Sequence, residues 1–260
     1  MKAMRIGILA AALALSLAGV QARAETVKVG YSAEPYPPFT SPDAAGKWSG
    51  WEVDFTDAVC KEAKLDCVIV PVAWDGIIPA LTSNKIDMII ASMSINDERQ
   101  KTIDFTNKYY NTPVSIIAAK GSGLKPTADS LKGKTIGVQV STIHEAYARK
   151  YFKGAEIKSY QTQDEANQDL AAGRIDATQA DSVAEQAFLD TDQGKSCCEN
   201  VGNVTWDSEI LGHGVGIGLR KGETALKDKL NAAIAKIRSD GTYEKMTKKY
   251  FPFDIYGGNS

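Results

Sequence analysis

Histidine is almost missing from this chain: His144 and His213 are the only two in 260 residues. Neither stands near a cysteine in the sequence, so the clustered imidazole and thiolate ligands of a zinc site are not there. An excess of positive charge is missing too, with 30 Lys and Arg against 32 Asp and Glu. Nucleic acid and anionic lipid both need clustered basic residues, and this balance offers them no footprint. Past the N-terminus no apolar run is long enough to cross a bilayer. Gly212, Gly214, Gly216 and Gly218 recur at period two, which fails the G-x-G-x-x-G spacing, and no helix directly follows. The period places the four on one face of an extended segment, fit either for close packing or for hinge freedom. No cofactor is expected.

The N-terminus carries an export signal. Lys2 and Arg5 precede an apolar run from Ile6 to about Val20, and Ala22-Arg23-Ala24 is a small-x-small cleavage site. Residues 1–24 therefore read as a secretory signal peptide, with the mature chain starting near Glu25. No cysteine lies near the cut to carry a lipid, the nearest being Cys60. Cleavage removes three basic residues and leaves 27 against 32 acidic ones, a formal charge of −5. An acidic, soluble protein of an export compartment, most simply a bacterial periplasm, is expected.

Four cysteines remain after cleavage. Cys60 and Cys67 bracket the end of an expected helix and the start of a strand, and their separation suits a local disulfide in an oxidising compartment. The adjacent Cys197 and Cys198 admit three states: a vicinal disulfide, pairing between molecules, or free thiols.

A twelve-residue pattern occurs twice. Leu81, Lys85, Ile86, Asp87, Ala91 and Ser92 are matched by Leu170, Arg174, Ile175, Asp176, Ala180 and Asp181. Each copy reads as a helix end, a short basic connection and an apolar strand closing on a polar residue. The same pattern fits the common grammar of helix-to-strand connections. Around it, strand and helix alternate. Strands are expected at 27–31, 67–72, 86–91, 114–119, 135–139, 156–160, 175–179 and 215–220. Helices are expected at 51–63, 76–82, 143–152, 164–172 and 182–189, and as a pair over 224–250 broken at Asp240-Gly241. Such alternation implies α/β layers with mostly parallel sheets. Ligands of open parallel sheets bind beyond the carboxyl ends of the strands, so two equivalent units imply two lobes facing across a cleft.

Chemistry concentrates at those strand ends. Ser92-Met93-Ser94 leads to Asn96, a good N-cap, and to Arg99 in the first helical turn. The helix dipole opposes a cation there, so Arg99 wants an anion: a ligand carboxylate, or internally Asp97 or Asp104. Gln139 to Glu145 forms a strand end followed by a Thr142/Glu145 capping box. Asp181 either pairs with a ligand ammonium or caps the helix after it. Tyr36 and Trp74, on loops after the first two strands, offer aromatic faces to a cationic or planar side chain, or serve as packing.

Several longer stretches carry a resemblance: Tyr36-Pro-Pro-Phe39, Ser92-Met-Ser94 with Arg99-Gln100, Ser130 to Val138, Glu145-Ala-Tyr-Ala148, Gly173-Arg-Ile-Asp176, and Asp240-Gly-Thr-Tyr243. Together they resemble the periplasmic amino-acid-binding proteins of ABC importers (solute-binding protein family 3), over essentially all of residues 25–257. The lysine/arginine/ornithine and histidine binders are nearest, with the opine binders as near relatives. The resemblance implies the two-lobe periplasmic-binding-protein fold (type II), with a ligand cleft between lobes and hinge crossings near Asn111–Val114 and Asp207–Gly212. It divides the chain into lobe 1, residues 25–112 and 211–260, and lobe 2, residues 113–210. It also implies a monomer whose partners are an amino acid or derivative and an inner-membrane ABC permease. In that family's pattern Arg99, helped by Ser94 and the Thr142–Ile143 turn, meets the α-carboxylate. Asp181 and Ser92 hold the α-amino group, Tyr36 and Trp74 flank the side chain, and the Cys60–Cys67 pair matches a family disulfide.

Departures from the pattern bear on the ligand. Ala91 and Ile143 replace a serine and a threonine of the basic-amino-acid binders. Glu34, on a loop one residue longer, lies near the place of the acid that meets a basic side chain. Trp74-Asp75-Gly76-Ile77 and Met93 look more like the opine binders, whose long insertion before the second lobe is missing. The leading expectation is a binding protein for cationic amino acids. The alternatives are an opine binder and, in a different class, an enzyme similar to the periplasmic cyclohexadienyl dehydratases.

Overall fold

The computed structural model describes residues 25–257, and the expected signal peptide lies outside them. The first part of the chain runs β1 (Glu25–Ser32), a small hairpin of β2 (Ser41–Pro42) and β3 (Trp48–Ser49), α1 (Trp51–Glu62) and β4 (Leu65–Val72). A 3-10 turn (Trp74–Gly76), α2 (Ile77–Thr82), β5 (Met88–Ile89), α3 (Asp97–Gln100) and β6 (Ile103–Tyr110) follow. After Asn111–Pro113 come β7 (Val114–Ala119), β8 (Thr135–Gln139), α4 (Ile143–Tyr151), β9 (Glu156–Tyr160) and α5 (Gln163–Ala171). Then come β10 (Ala177–Asp181), α6 (Ser182–Leu189), α7 (Asp192–Cys197), β11 (Cys198–Asn203) and α8 (Ser208–Leu211). The chain ends on β12 (Val215–Arg220), α9 (Thr224–Ser239) and α10 (Thr242–Thr247).

These elements build two five-stranded sheets, ordered β4-β1-β5-β12-β6 and β11-β7-β10-β8-β9. In the first, β1 is parallel to β4 and β5, while β12 runs antiparallel to β5 and β6. In the second, β8 is parallel to β9 and β10, while β7 is antiparallel to β10 and β11. The expected two-lobe α/β architecture is the one observed. Each sheet is mixed rather than mostly parallel, because β12 and β7 enter against the direction of the βαβ units.

The doubled pattern is explained by what its residues touch. Asp87 and Asp176 each grip the strand beside them: the Asp87 carboxylate accepts from the Lys28 N–H at 2.9 Å, and the Asp176 carboxylate from the Thr135 N–H at 2.9 Å. One residue earlier, Ile86 and Ile175 pack their side-chain ends over a glycine of the neighbouring strand. A Cβ on Gly30 would come within 2.3 Å of Ile86, and one on Gly137 within 2.6 Å of Ile175. Each unit thus locks a strand into register and delivers its last polar residue, Ser92 or Asp181, to the same edge of its sheet. The strands are shifted from expectation, Met88–Ile89 being much shorter than 86–91 and Ala177–Asp181 two residues later than 175–179. β6 and β11 were not expected. β11 is a polar edge strand with a bulge near Gly202, and β6 mixes polar and aromatic residues without clean alternation.

The first sheet's core is aromatic. α1 buries Trp51, Phe55 and Val59 at i, i+4 and i+8, the spacing of one helical face. Trp51 stacks on Phe55 with centroids 5.4 Å apart, and Phe55 on Tyr109 at 4.3 Å. Cys60 is bonded to Cys67, tying α1 to β4, and Cys197 and Cys198 form the vicinal disulfide, one of the three states left open.

The four period-two glycines do not share one face. Gly212 and Gly214 precede β12 with positive φ, whereas Gly216 and Gly218 lie within it. Gly212 is the most constrained: its φ is 81°, and an added Cβ would sit 2.2 Å from the Ile95 carbonyl oxygen. The neighbouring His213 N–H donates to that same oxygen at 2.9 Å. Gly212→Ala is expected to destabilise the protein by about 1–3 kcal/mol through backbone strain. A melting curve reads this as a loss of roughly 2–4 °C per kcal/mol. An unchanged Tm would show that the crossing relaxes freely.

Candidate functional site

Between the two sheets lies a cavity lined from one side by Glu34, Tyr36, Trp74, Ser92, Ser94 and Arg99 and from the other by Gln139, Thr142, Ile143 and Asp181. Ten of the eleven residues expected at a ligand site therefore share one cavity. Met93 does not line it. Met93 packs instead into the apolar cluster of Ile77, Leu81 and Ile103, where it is buried. It reaches only an adjoining recess behind Trp74 and Arg99.

Arg99 is placed by its cap. Asn96 accepts from the Arg99 N–H at 3.0 Å, as its N-cap character implies, and fixes the first turn of α3. The guanidinium donates to the Ser94 carbonyl at 3.0 Å and lies over the Trp74 ring, 5.4 Å from its centroid. Neither Asp97 nor Asp104 pairs with it, since Asp104 holds Lys221 at 2.8 Å. Burial pulls the Arg99 pKa down to about 10, partly offset by the charge of Asp181. It remains a cation and has no carboxylate bonded to it.

Asp181 occupies the N-cap position of α6, yet its side chain makes no capping bond. Its carboxylate accepts instead from the Tyr36 hydroxyl at 2.8 Å, a bond that spans the cleft. Burial pushes its pKa up to about 6, opposed by the Tyr36 bond and by Arg99. His144 Nε2 stands 3.9 Å away, but burial and the Arg99 charge pull that imidazole down to about 3. At neutral pH the contact is therefore that of a neutral ring, not an ion pair.

The second helix start, at α4, differs from the expected capping box. Thr142 accepts from the Glu145 N–H at 3.1 Å, but the Glu145 carboxylate bonds the Ser141 N–H at 2.8 Å, not that of Thr142. Ser141 has a positive φ of 60°, which turns its N–H toward Glu145. Trp74 reaches the same turn, its indole N–H donating to the Ser141 carbonyl at 3.3 Å across the cleft. Glu34 is held by the Ser32 hydroxyl at 2.6 Å and the Trp74 N–H at 3.1 Å. Gln139 donates to the Gln161 carbonyl at 3.1 Å.

Ser32, Pro35, Thr40, Ala91, His144 and Gln163 also line the cavity and were not expected to. His144 was within sight, one residue past the Thr142–Ile143 turn in the same cap motif. Gln163 and Thr40 arrive from elements whose nearness to the cleft only folding creates. Arg99 is the single cation among the lining residues, facing Asp181 and Glu34. Such a cavity suits a small solute bearing one anionic and one or two cationic groups. Among the described residues no cluster of His, Cys, Asp or Glu could hold a metal, and no helix is long and apolar enough to cross a membrane.

Two α/β lobes closing on a small cavity with opposed buried charges define a solute receptor of the clamshell kind. The chain belongs to the bacterial extracellular solute-binding proteins, family 3, whose model matches residues 27–253. It is similar to the L-arginine-binding protein of Pseudomonas aeruginosa, 44% identical over 253 residues that cover 95% of this chain and 97% of that protein. It is also similar to the lysine/arginine/ornithine-binding periplasmic protein of Escherichia coli, 43% identical over 236 residues and 90% of each. Among solved structures, an ancestral arginine-binding protein bound to arginine superposes with a TM-score of 0.79 and 34% identity, over 88% of this chain and 99% of that one.

Behind the cavity, Glu185 is buried with Thr178 donating to it at 3.0 Å, and burial pushes its pKa up to about 8, with the Asp181 charge adding to the rise. A carboxyl held protonated by folding stabilises fully below its unfolded pKa, and that stability is lost as pH rises through the folded value. The Tm of the unliganded protein is therefore expected to fall as pH rises from about 5 to about 8, and Glu185→Gln should reduce that slope, the buried Glu52 carboxyl, pushed up to about 7, supplying the rest. A slope identical in the variant would place the titration elsewhere.

Proposed function

We propose that this protein is the periplasmic substrate-binding component of an ABC transporter for cationic amino acids. It captures arginine, ornithine, lysine or histidine and delivers the ligand to an inner-membrane permease. The observation that carries the reading is the facing of Arg99 and Asp181 across the cavity between the sheets, with Glu34 as the second carboxylate. In this reading Arg99 takes the α-carboxylate, assisted by Ser94 and the first turn of α4. Asp181 and Ser92 take the α-ammonium, and Tyr36 and Trp74 flank a side chain whose cation lies near Glu34. The lobes comprise residues 25–112 with 211–260, and residues 113–210. They open and close about the two crossings, and the mature protein, starting near Glu25, acts as a monomer.

A binding role is favoured over catalysis by the placement of acids. An acid catalyst needs a protonated carboxyl in contact with the ligand. Glu185, the carboxyl pushed furthest above its ordinary range, lies behind Thr178 and Gln163 rather than among the lining residues. Incubation with prephenate or arogenate should give no turnover. A thermal-shift screen over amino acids and opines identifies the ligand, because a molecule that binds only the folded state raises Tm by mass action.

Arg99→Ala is expected to cost about 2–5 kcal/mol of arginine binding, since it leaves a buried carboxylate unpaired. Titration calorimetry giving a variant within tenfold of wild type would remove Arg99 from this role. Asp181→Asn should weaken binding strongly too, whereas a purely structural Asp181 would lower Tm and leave affinity unchanged. For the side chain, arginine should bind better than glutamine and glutamate, and Glu34→Gln should narrow the gap. If glutamine or glutamate wins in the wild type, the cationic assignment fails. If arginine wins and Glu34→Gln changes nothing, the acid responsible is another one.

A further inference from the structure

We propose that Glu52 is a positioning residue that fixes the hydrogen-bond polarity of Ser92, so that the serine hydroxyl meets the cleft only as an acceptor and selects ligands bringing an N–H cation to that point. The proposal rests on the reading that the cavity binds an α-amino acid. Glu52 lies in the first turn of α1 and is completely buried. A buried carboxylate is costly unless donors surround it, and here they do. The Ser92 N–H donates to one oxygen at 2.7 Å, the Ser92 hydroxyl to the other at 3.2 Å, and the Tyr109 hydroxyl to the first. The Glu52 carbonyl is itself held by the Thr56 hydroxyl at 2.7 Å, which fixes the turn that carries the side chain.

The chemistry of a hydroxyl makes the consequence one-sided. Serine has one O–H donor and two lone pairs. Burial pushes the Glu52 pKa up to about 7 against the Tyr109 and Ser92 donors, and in the ionised form that those donors favour its carboxylate only accepts. Once the O–H points at Glu52, what remains toward the cavity is a lone pair. A ligand ammonium can use it, while a ligand carboxylate or carbonyl at the same place meets oxygen against oxygen. The backbone supports the same division. Ser92 adopts the left-handed region, φ 53°, which is rare for a residue other than glycine, and the bond from its N–H to Glu52 holds it there. Glu52 need touch no ligand to do this. With Asp181 facing from the other lobe, the ammonium would meet two acceptors of different kinds, one charged and one pre-oriented.

The test compares arginine with 5-guanidinopentanoate, which is arginine without its α-ammonium, by titration calorimetry. In Glu52→Gln the new amide donates to Ser92 and frees its O–H toward the cleft. Arginine should bind about 10- to 100-fold more weakly, while 5-guanidinopentanoate changes by less than about threefold. In a Ser92→Ala background the same substitution should cost arginine less than about threefold, because the intermediary is gone. Should Glu52→Gln fail to fold, Glu52→Asp keeps the buried acid but cannot reach both Ser92 donors, and it should show the same selective loss. Equal weakening of both ligands, or an arginine penalty undiminished without the serine hydroxyl, overturns the proposal. So does Ser92→Ala alone if it leaves the ratio of the two affinities unchanged, however the Glu52 variants fold. A wild type that binds none of arginine, ornithine, lysine and histidine overturns the functional reading, and this inference with it. A wild type that binds arginine with an unresponsive ratio overturns this inference alone.

Discussion

Charges enclosed between two lobes are tolerated only when opposite charge or hydrogen bonds reach them, and this protein encloses several. Arg99 presents a guanidinium whose protein partners are a carbonyl oxygen and an indole face. Asp181 presents a carboxylate whose bonded partner is the Tyr36 phenol. Neither arrangement neutralises the charge it holds. The desolvation cost of closing the cleft is offset when a zwitterion supplies a carboxylate at one end and an ammonium at the other. That requirement engages both lobes, since each carries one of the two charges.

Delivering those charges to the same space falls to a repeated structural unit. In each copy an aspartate clamps a backbone N–H of a neighbouring strand and an isoleucine fills the gap over a glycine, so the strand emerges at a fixed height in its sheet. What differs is the last residue. The first copy ends on Ser92, an uncharged hydroxyl oriented by Glu52, and the second on Asp181, a carboxylate. One scaffold thus makes both walls of the cavity, and substitution at its final position gives them different chemistry. The bonds that already cross the cleft, from Tyr36 to Asp181 and from Trp74 to Ser141, come from loops outside the repeat.

The neutral buried groups around the cavity complete this picture. His144 is kept uncharged by burial and by the nearby guanidinium, so it adds no second cation to compete for a ligand carboxylate. Glu185 is kept protonated by burial, so it adds no further anion beside Asp181. Low local dielectric is what permits both, because it penalises every charge that no partner answers. The cavity therefore shows a ligand only the charges carried by its lining residues Arg99, Asp181 and Glu34.

Much of this was legible in the chain before folding. Hydrophobic period and cap chemistry located α1, α4, α5 and α6, because helix periodicity and N-cap residues are local properties. Asn96 announced the cap that orients Arg99, and the doubled Ile-Asp pattern announced two like units ending on polar residues. The resemblance to a family then brought nine of the cavity's residues together by number. Other features depend on contacts between segments far apart in the chain, which no local signal encodes. The direction in which Met93 points was one of these, since it is set by the apolar cluster of Ile77, Leu81 and Ile103 into which the side chain packs. The choice of Asp181 between capping and cleft was another, settled by Tyr36 from 145 positions away. So was the role of Glu52, which reads in sequence as an ordinary acid in the first turn of a helix. Local chemistry wrote the elements and the charges. Which charges face each other, and which are silenced by burial, was decided only when the two sheets closed on one space.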